Sequence, residues 1–178
     1  MKYFKKLSGE KIYLSPMNIA DTEKYAEWFN NPDVTDNFGV TYLMNTLESE
    51  GGWLRNSIAN QQYNFSIVRQ SDDKLLGSTG FMNLRYIDNS AEIYIFIGEN
   101  EDRGHGYGSE AMRLILEYGF DVLNMHNLML YAYSFNDRAI SLYKRLGFRE
   151  FGRRREAHYL NGKYHDIIYL DKLNANTL

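Results

Sequence analysis

The run Ile93-Tyr94-Ile95-Phe96-Ile97, a short polar loop, and then Arg103-Gly104-His105-Gly106-Tyr107-Gly108-Ser109-Glu110 constrain this chain more than any other stretch. The first part reads as a buried strand. The second reads as a glycine turn that opens a helix running from Tyr107 to about Asn124. Glycine at every second position leaves the backbone bare where that helix begins. The first N–H groups of a helix lack intrahelical partners and sit at the positive end of its dipole. Bare amides at such an end form a site for phosphate. The expectation is therefore a phosphate-bearing small molecule held by main chain.

Around this unit the chain reads β, α, α, β, β, β, α, β, α, β, β. Lys11 to Met17 alternates and stops at Pro16, as a strand does. Asp21 is read as the N-cap of a helix that carries Tyr25, Trp28 and Phe29 and ends at Asn30-Asn31-Pro32-Asp33. A second helix, Thr46 to Asn60, is weakened by Gly51-Gly52. Three meander strands follow: Tyr63 to Val68, Leu75 to Arg85 and Ala91 to Ile97, with Gly77 and Gly80 as bulge markers. Leu128 to Phe135 is a strand, Asn136 to Leu146 a helix closed by Gly147, and Phe148 to Leu170 a hairpin turning at Asn161-Gly162. The expected fold class is α+β, with a central mixed, mostly antiparallel sheet of about six to seven strands flanked by about four helices. All 178 residues are expected to form one domain.

Composition excludes several functions. There is no cysteine, hence no thiol nucleophile, thiolate metal site or disulfide. The four histidines form no tight ligand pair, so no metal is expected. The net charge of −3 gives no nucleic-acid footprint, and no apolar run reaches membrane-spanning length. The chain is read as cytoplasmic. No serine stands in a G-x-S-x-G elbow, so a hydrolase triad has no support.

Three phosphate sites compete for the glycine turn. A Walker loop ends in Gly-Lys-Ser/Thr, but Gly108-Ser109-Glu110 has no Lys after the glycine and puts Glu beside it. A dinucleotide fold needs G-x-G-x-x-G, whereas the spacing here is G-x-G-x-G after an antiparallel meander. A coenzyme A pyrophosphate needs only consecutive backbone donors and one helpful cation, with Arg103 available.

Here the residues resemble a known family. Arg103-x-x-Gly106-x-Gly108 is similar to the Q/R-x-x-G-x-G/A signature of the GNAT acyltransferases. Asn136-x-x-Ala139-x-x-x-Tyr143-x-x-x-Gly147-Phe148 is similar to that family's second motif. Glu117 to Phe120 and Tyr159 to Tyr164 look most like the bacterial branch of ribosomal-protein-alanine and spermidine N-acetyltransferases. The resemblance implies acetyl transfer from acetyl-CoA to a primary amine, on a peptide N-terminus or a small molecule. A polyamine or amino-sugar acceptor, or a non-catalytic acyl-CoA-binding module, are the alternatives.

The resemblance also implies roles. The cofactor falls to Arg103, Gly104, His105, Gly106, Tyr107 and Gly108, with Ile95 and Ile97 offering a strand edge to pantetheine. Tyr143 is the proton donor to the departing thiolate; its bland alternative is a core tyrosine, since Ala139, Leu142, Tyr143 and Leu146 share a helix face. Asn136 is a pantetheine ligand, an N-cap, or both. Glu92, on the strand face of Tyr94 and Phe96, is the candidate base, with a half-exposed strand residue as its alternative. Asp33, Asp36, Glu48 and Glu50 supply negative charge for a cationic amine. Glu99, Glu101 and Asp102 depart from the family by crowding the loop before the signature. Carboxylates there would repel a pyrophosphate, so their side chains are expected to point into solvent. The oligomeric state stays open, a homodimer through the final hairpin included.

Overall fold

The computed structural model describes residues 2–60 and 63–175. In chain order its elements are β1 (Leu7–Ser8), β2 (Ile12–Pro16), α1 (Thr22–Phe29), α2 (Pro32–Phe38), α3 (Leu47–Ala59), β3 (Asn64–Arg69), β4 (Leu75–Arg85), β5 (Ser90–Ile97), α4 (Tyr107–Glu117), β6 (Asn127–Tyr133), α5 (Asp137–Arg145), β7 (Arg149–Leu160) and β8 (Lys163–Leu173). The eight strands follow the hydrogen-bonded order β1-β2-β3-β4-β5-β6-β8-β7. The β5–β6 pair is parallel, while β1–β2, β2–β3, β3–β4, β6–β8 and β7–β8 are antiparallel. The mixed, mostly antiparallel sheet is as expected. Two elements exceed the expected count. β1 is only Leu7–Ser8, too short to show alternation. α2 begins where the sequence pattern points to the end of a helix: Asn31 caps it through Asp33 N–H, and Pro32 takes the first helical position.

The chain divides into two compact units, described in turn. The first holds residues up to Phe81 together with Ile95–Ile115. Its core joins Tyr13, Tyr25, Trp28, Val34, Leu54 and Phe96, with Phe29 and Phe38 packed against it. Phe96 is the hub: Trp28, Phe29 and Phe38 meet it edge-to-face at 5.7, 5.3 and 5.5 Å. Each such pair contributes about 0.5–1.5 kcal/mol beyond its burial. Asp21 corrects the capping expectation. It stands at the N-cap position of α1 but makes no side-chain cap bond. Its carboxylate is buried instead, accepting from Tyr3 Oη at 2.9 Å and facing Lys2 Nζ at 2.6 Å. Thr46 does cap α3, through a reciprocal bond with Ser49. The bulge falls beside Gly77: Val68 pairs with Leu75 and Ile67 with Gly77, so Leu76 is the extra residue. A Cβ on Gly77 would overlap the Phe96 carbonyl oxygen, which explains glycine there.

The second unit holds Met82–Tyr94 and the chain from Leu116 onward. The α4 helix ends in it sooner than expected. A π-turn over Tyr118–Val122 replaces the last α-helical turns, with Leu123 N–H donating to Tyr118 O five residues back. β6 pairs with β8 from Asn127↔Leu173 to Tyr133↔Ile167. The β7–β8 turn has Asn161 at φ +50° and Gly162 at +81°, the left-handed pair a two-residue hairpin requires. On its other side β6 pairs with β5 only at Ser90↔Asn127, Ala91↔Leu128 and Glu92↔Met129, although β5 continues to Ile97 and β6 to Tyr133. Among the described residues the parallel ladder has these three rungs.

Candidate functional site

The glycine turn lies in the first unit. After Ile97 the loop makes two tight turns, Asp102 N–H to Glu99 O and Arg103 N–H to Asn100 O. Gly104 and Gly106 then take φ of +91° and +88°, the left-handed region that favours glycine. The first bond of α4 is Glu110 N–H to Gly106 O at 3.0 Å. The amides of Tyr107, Gly108 and Ser109 thus precede the helix's own ladder. Gly108 differs from its neighbours. A Cβ there would meet Ile95 Cδ1 and Ile97 Cγ1 at 3.8 Å, ordinary contact, so α4 rides on the β5 face carrying those two residues. His105 is exposed and its ring stacks on Tyr107 at 5.7 Å.

Arg103 sits at this turn with its donors directed at the main chain. Nε donates to Ile97 O at 3.1 Å, Nη2 to Asp33 O and Gly98 O at 3.2 and 3.3 Å, and Nη1 to Asn100 Oδ1 at 2.5 Å. It fastens the end of β5 to the start of α2.

The acidic loop overturns the expectation of solvent-facing carboxylates at Glu99 and Asp102, while Glu101 is exposed as expected. Glu99 Oε1 accepts from Trp28 Nε1 at 2.8 Å and meets Lys24 Nζ at 2.5 Å. The Lys24 bond, with that of Trp28, holds the Glu99 carboxyl below its ordinary range. Glu101 pairs with Lys74 at 3.0 Å. Asp102 is buried, 2.8 Å from Lys74 Nζ and 3.3 Å from Arg69 Nη1. The physical reason is that the first unit places a cation opposite each carboxylate. At Glu99 and Asp102 the charge is compensated within the fold rather than by water.

The second unit carries Asn136, Tyr143 and Glu92. Asn136 Oδ1 accepts from Ala139 N–H at 3.0 Å, the N-cap of α5. The helix closes with a Schellman motif: Phe148 N–H donates to Tyr143 O and Gly147 N–H to Lys144 O, both at 3.1 Å, with Gly147 at φ +88°. The hydrophobic contact of that motif is Phe148 on Tyr143, their rings 6.0 Å apart. Much of the second motif's spacing is thus helix-capping geometry. Tyr143 is 8% exposed, and burial pushes its phenol up to about 12. Glu92 is half-buried at the last rung of the β5–β6 ladder and accepts from Asn83 Nδ2 at 3.0 Å. Its charge adds to burial in raising the Tyr131 phenol.

The two units therefore divide the expected residues. Ile95, Ile97 and Arg103 to Gly108 are gathered in one, and Glu92, Asn136 and Tyr143 belong to the other. One residue beside the turn escaped the sequence reading. Lys11 donates from Nζ to His105 O at 3.2 Å, across 94 positions of chain, and no local pattern announces such a contact. Among the acidic residues expected to meet an amine, Glu50 is the buried one, and burial raises its carboxyl. Among the described residues no cluster of three or more metal-ligating side chains occurs, and no helix is long and apolar enough to cross a membrane.

Comparison with known proteins bears on the family and the fold. The family profile described as "Acetyltransferase (GNAT) domain" matches residues 11–149. A spermidine N(1)-acetyltransferase of Vibrio cholerae is 33% identical over 101 residues, which cover 57% of this chain and 58% of that protein's length. The protein named uncharacterized N-acetyltransferase p20 from Bacillus licheniformis is 26% identical over 179 residues, covering 94% of this chain and 95% of its own. Among solved structures, spermidine N-acetyltransferase from Vibrio cholerae in complex with CoA and spermine superposes with a TM-score of 0.85 at 23% identity, covering 93% of this chain and 96% of that one. A GNAT-family acetyltransferase from Bacillus anthracis gives 0.80 at 19% identity, covering 94% and 97%.

Proposed function

Since this chain belongs to the GNAT acetyltransferase family, we propose that it transfers the acetyl group of acetyl-CoA directly to a primary amine. The observation that carries the reading is the parallel ladder that opens at Glu92↔Met129, while β5 runs on through Ile95 and Ile97. A strand edge released from its neighbour binds an extended, amide-bearing arm by main-chain hydrogen bonds. The same strand leads to the turn at Gly104 and Gly106, whose bare amides suit a pyrophosphate. Cosubstrate binding thus falls to Ile95, Ile97 and the amides from Arg103 to Gly108, with Asn136 adding a ligand beyond its capping bond.

The chemistry sets two proton problems. An amine with pKa near 10 arrives charged at neutral pH, so Glu92, directly or through water, takes its extra proton. The neutral nitrogen then attacks the thioester carbon. The C–S bond breaks, one of the two N–H protons ends on sulfur, and the other stays on the amide nitrogen. Tyr143, at about 12, stays protonated throughout the neutral range. A thiol near 8.5 is the stronger acid by roughly 3.5 units, about 5 kcal/mol. Tyr143 therefore stabilises the departing thiolate by hydrogen bonding rather than by giving up its proton outright. The chain's lack of cysteine removes a thiol carrier and favours direct attack.

For the acceptor we place a small polyamine first. Two observations support this: the relatives named as spermidine acetyltransferases, and the buried carboxyl of Glu50, whose charge burial disfavours and a neighbouring ammonium would favour. The test is thiol release from acetyl-CoA with spermidine, glucosamine and a short peptide bearing a free N-terminus. Release with spermidine above the others is expected. Tight CoA binding without release for any of them would sink the enzymatic reading.

A further inference from the structure

On the sequence alone Arg103 is the cation of the glycine turn, yet its donors reach the carbonyl oxygens of Ile97, Gly98 and Asp33 and the Asn100 side chain. A different cation stands at the turn. Lys11 Nζ donates to His105 O at 3.2 Å and lies 3.6 Å from where a Cβ on Gly106 would be. The segment carrying it is held on both sides. Glu110, in the first turn of α4, accepts from the N–H of Lys11 at 3.1 Å and from the N–H of Glu10. A side chain at Gly9 would collide with that carboxylate, so glycine lets it approach. Gln70 closes the other side, donating from Nε2 to Gly9 O at 2.8 Å and from its N–H to Lys11 O at 2.9 Å. Glu110 occupies the position where a Walker loop would carry its Ser or Thr. Here it instead secures the segment that brings a lysine to the turn from another part of the chain.

We propose that Lys11 is the phosphate-neutralising residue of this turn, its ammonium pairing with the pyrophosphate of CoA beside the amides that follow Gly106. The inference rests on the acetyl-CoA reading and deepens it. Lysine suits the place: a compact point charge on a flexible stem shifts from a carbonyl to a phosphate without the fixed fork geometry of arginine. Releasing His105 O costs little, because that carbonyl belongs to an exposed residue and water replaces the bond. The exposure of Lys11 also limits the gain and makes it sensitive to salt.

The experiment is calorimetric titration of CoA and of dephospho-CoA, which lacks the 3′-phosphate, into wild type, Lys11→Ala, Lys11→Arg and Lys11→Glu at low and high salt. Melting midpoints are read beside it. Lys11→Ala should weaken both ligands about fivefold at low salt, the upper range for an exposed ion pair. Lys11→Glu should weaken them further and Lys11→Arg hardly at all, with the differences shrinking at high salt. The midpoints should stay at the wild-type value, because the Lys11 N–H that Glu110 holds survives each substitution. Unchanged affinity in Lys11→Ala overturns the proposal. So does a loss seen with CoA but not with dephospho-CoA, which would move Lys11 to the 3′-phosphate. A wild-type protein that binds neither ligand would instead remove the acetyl-CoA reading itself.

Discussion

Gly106 and Gly108 are two positions apart in the signature, and the geometry assigns them opposite responses to one methyl group. At Gly106 the backbone is at φ +88°, and a Cβ would meet only Lys11 Nζ, at 3.6 Å. Alanine there is not crowded. Its cost is conformational, about 1–2 kcal/mol for an L-residue held in the left-handed region. In a chain of this size each kcal/mol shifts the melting midpoint by about 2–4 °C, so Gly106→Ala should melt a few degrees lower. At Gly108 the backbone is helical and a Cβ finds Ile95 and Ile97 at 3.8 Å, a normal contact. Alanine in a helix is favoured over glycine by up to about 1 kcal/mol, so Gly108→Ala should hold or raise the midpoint. Binding should separate the two more sharply. In Gly106→Ala the added methyl would stand in the turn that a phosphate must enter, and one lost bond to a charged group is worth about 1.5–3 kcal/mol. That is a loss of at least about tenfold in CoA affinity for Gly106→Ala, against a change within about threefold for Gly108→Ala. Thermal melts and calorimetric titration with CoA read both quantities on the same samples. Wild-type affinity in Gly106→Ala would refute the turn as the phosphate site. A lowered midpoint in Gly108→Ala would refute the packing of α4 on β5 described above.

Tyr143→Phe should reduce turnover about 10- to 100-fold, the worth of one hydrogen bond to a developing charge at about 1.5–3 kcal/mol, and leave CoA affinity within about twofold; undiminished turnover takes Tyr143 out of the chemistry. The same variant carries a pH signature. The phenol is held near 12 in the fold against 10 when unfolded, so its contribution is complete below pH 10 and lost between pH 10 and 12. Denaturant unfolding across that window should fall less steeply in Tyr143→Phe than in wild type, with a residual slope from Tyr25, whose phenol burial also raises. Glu50 obeys the same sign rule from the acid side. A buried carboxyl raised in the fold opposes folding while ionised, so Glu50→Gln should stabilise the protein at pH 7 and lose that advantage as pH falls through the carboxyl range. If Glu50 also meets the acceptor, that variant should raise the KM for spermidine; a destabilised variant at pH 7 would contradict the burial argument.

What the sequence revealed is what lies within a few positions. Ile93 to Ile97, the glycine turn and the Asn136 to Phe148 helix each announce themselves by local spacing, and each is in place. The Asn161-Gly162 turn is legible for the same reason, since both residues must take positive φ. The α2 helix was legible too, in the Asn-Pro pair that caps and starts it, but the pair also reads as a stop. The acidic loop was not legible. Glu99 finds Lys24 and Trp28 more than seventy positions away, and Asp102 finds Arg69 and Lys74 through a hairpin. Asp21 failed similarly, because a carboxylate at a helix start looks like a cap whether it bonds its own helix or a distant tyrosine. Arg103 and Lys11 were not legible for the same reason: the carbonyls that accept from Arg103 come from separate segments, and the contact from Lys11 to His105 O spans 94 positions.

The three-rung ladder has a consequence for how the protein responds to its cosubstrate. Among the described residues β5 pairs with β6 at Ser90, Ala91 and Glu92, and Ile95 and Ile97 come after those rungs along β5. Amides in such a stretch exchange their hydrogens by small local openings, whereas those of β6 toward β8 are protected over the whole strand. An arm bound along β5 would act as the missing strand and close that path. Exchange at Ile95 and Ile97 should then slow when CoA is added, while β6 changes little. The same linkage would raise stability: at a CoA level 100 times its dissociation constant the fold would gain about 2.7 kcal/mol. A protein built with an open seam is at its most robust when its substrate is plentiful.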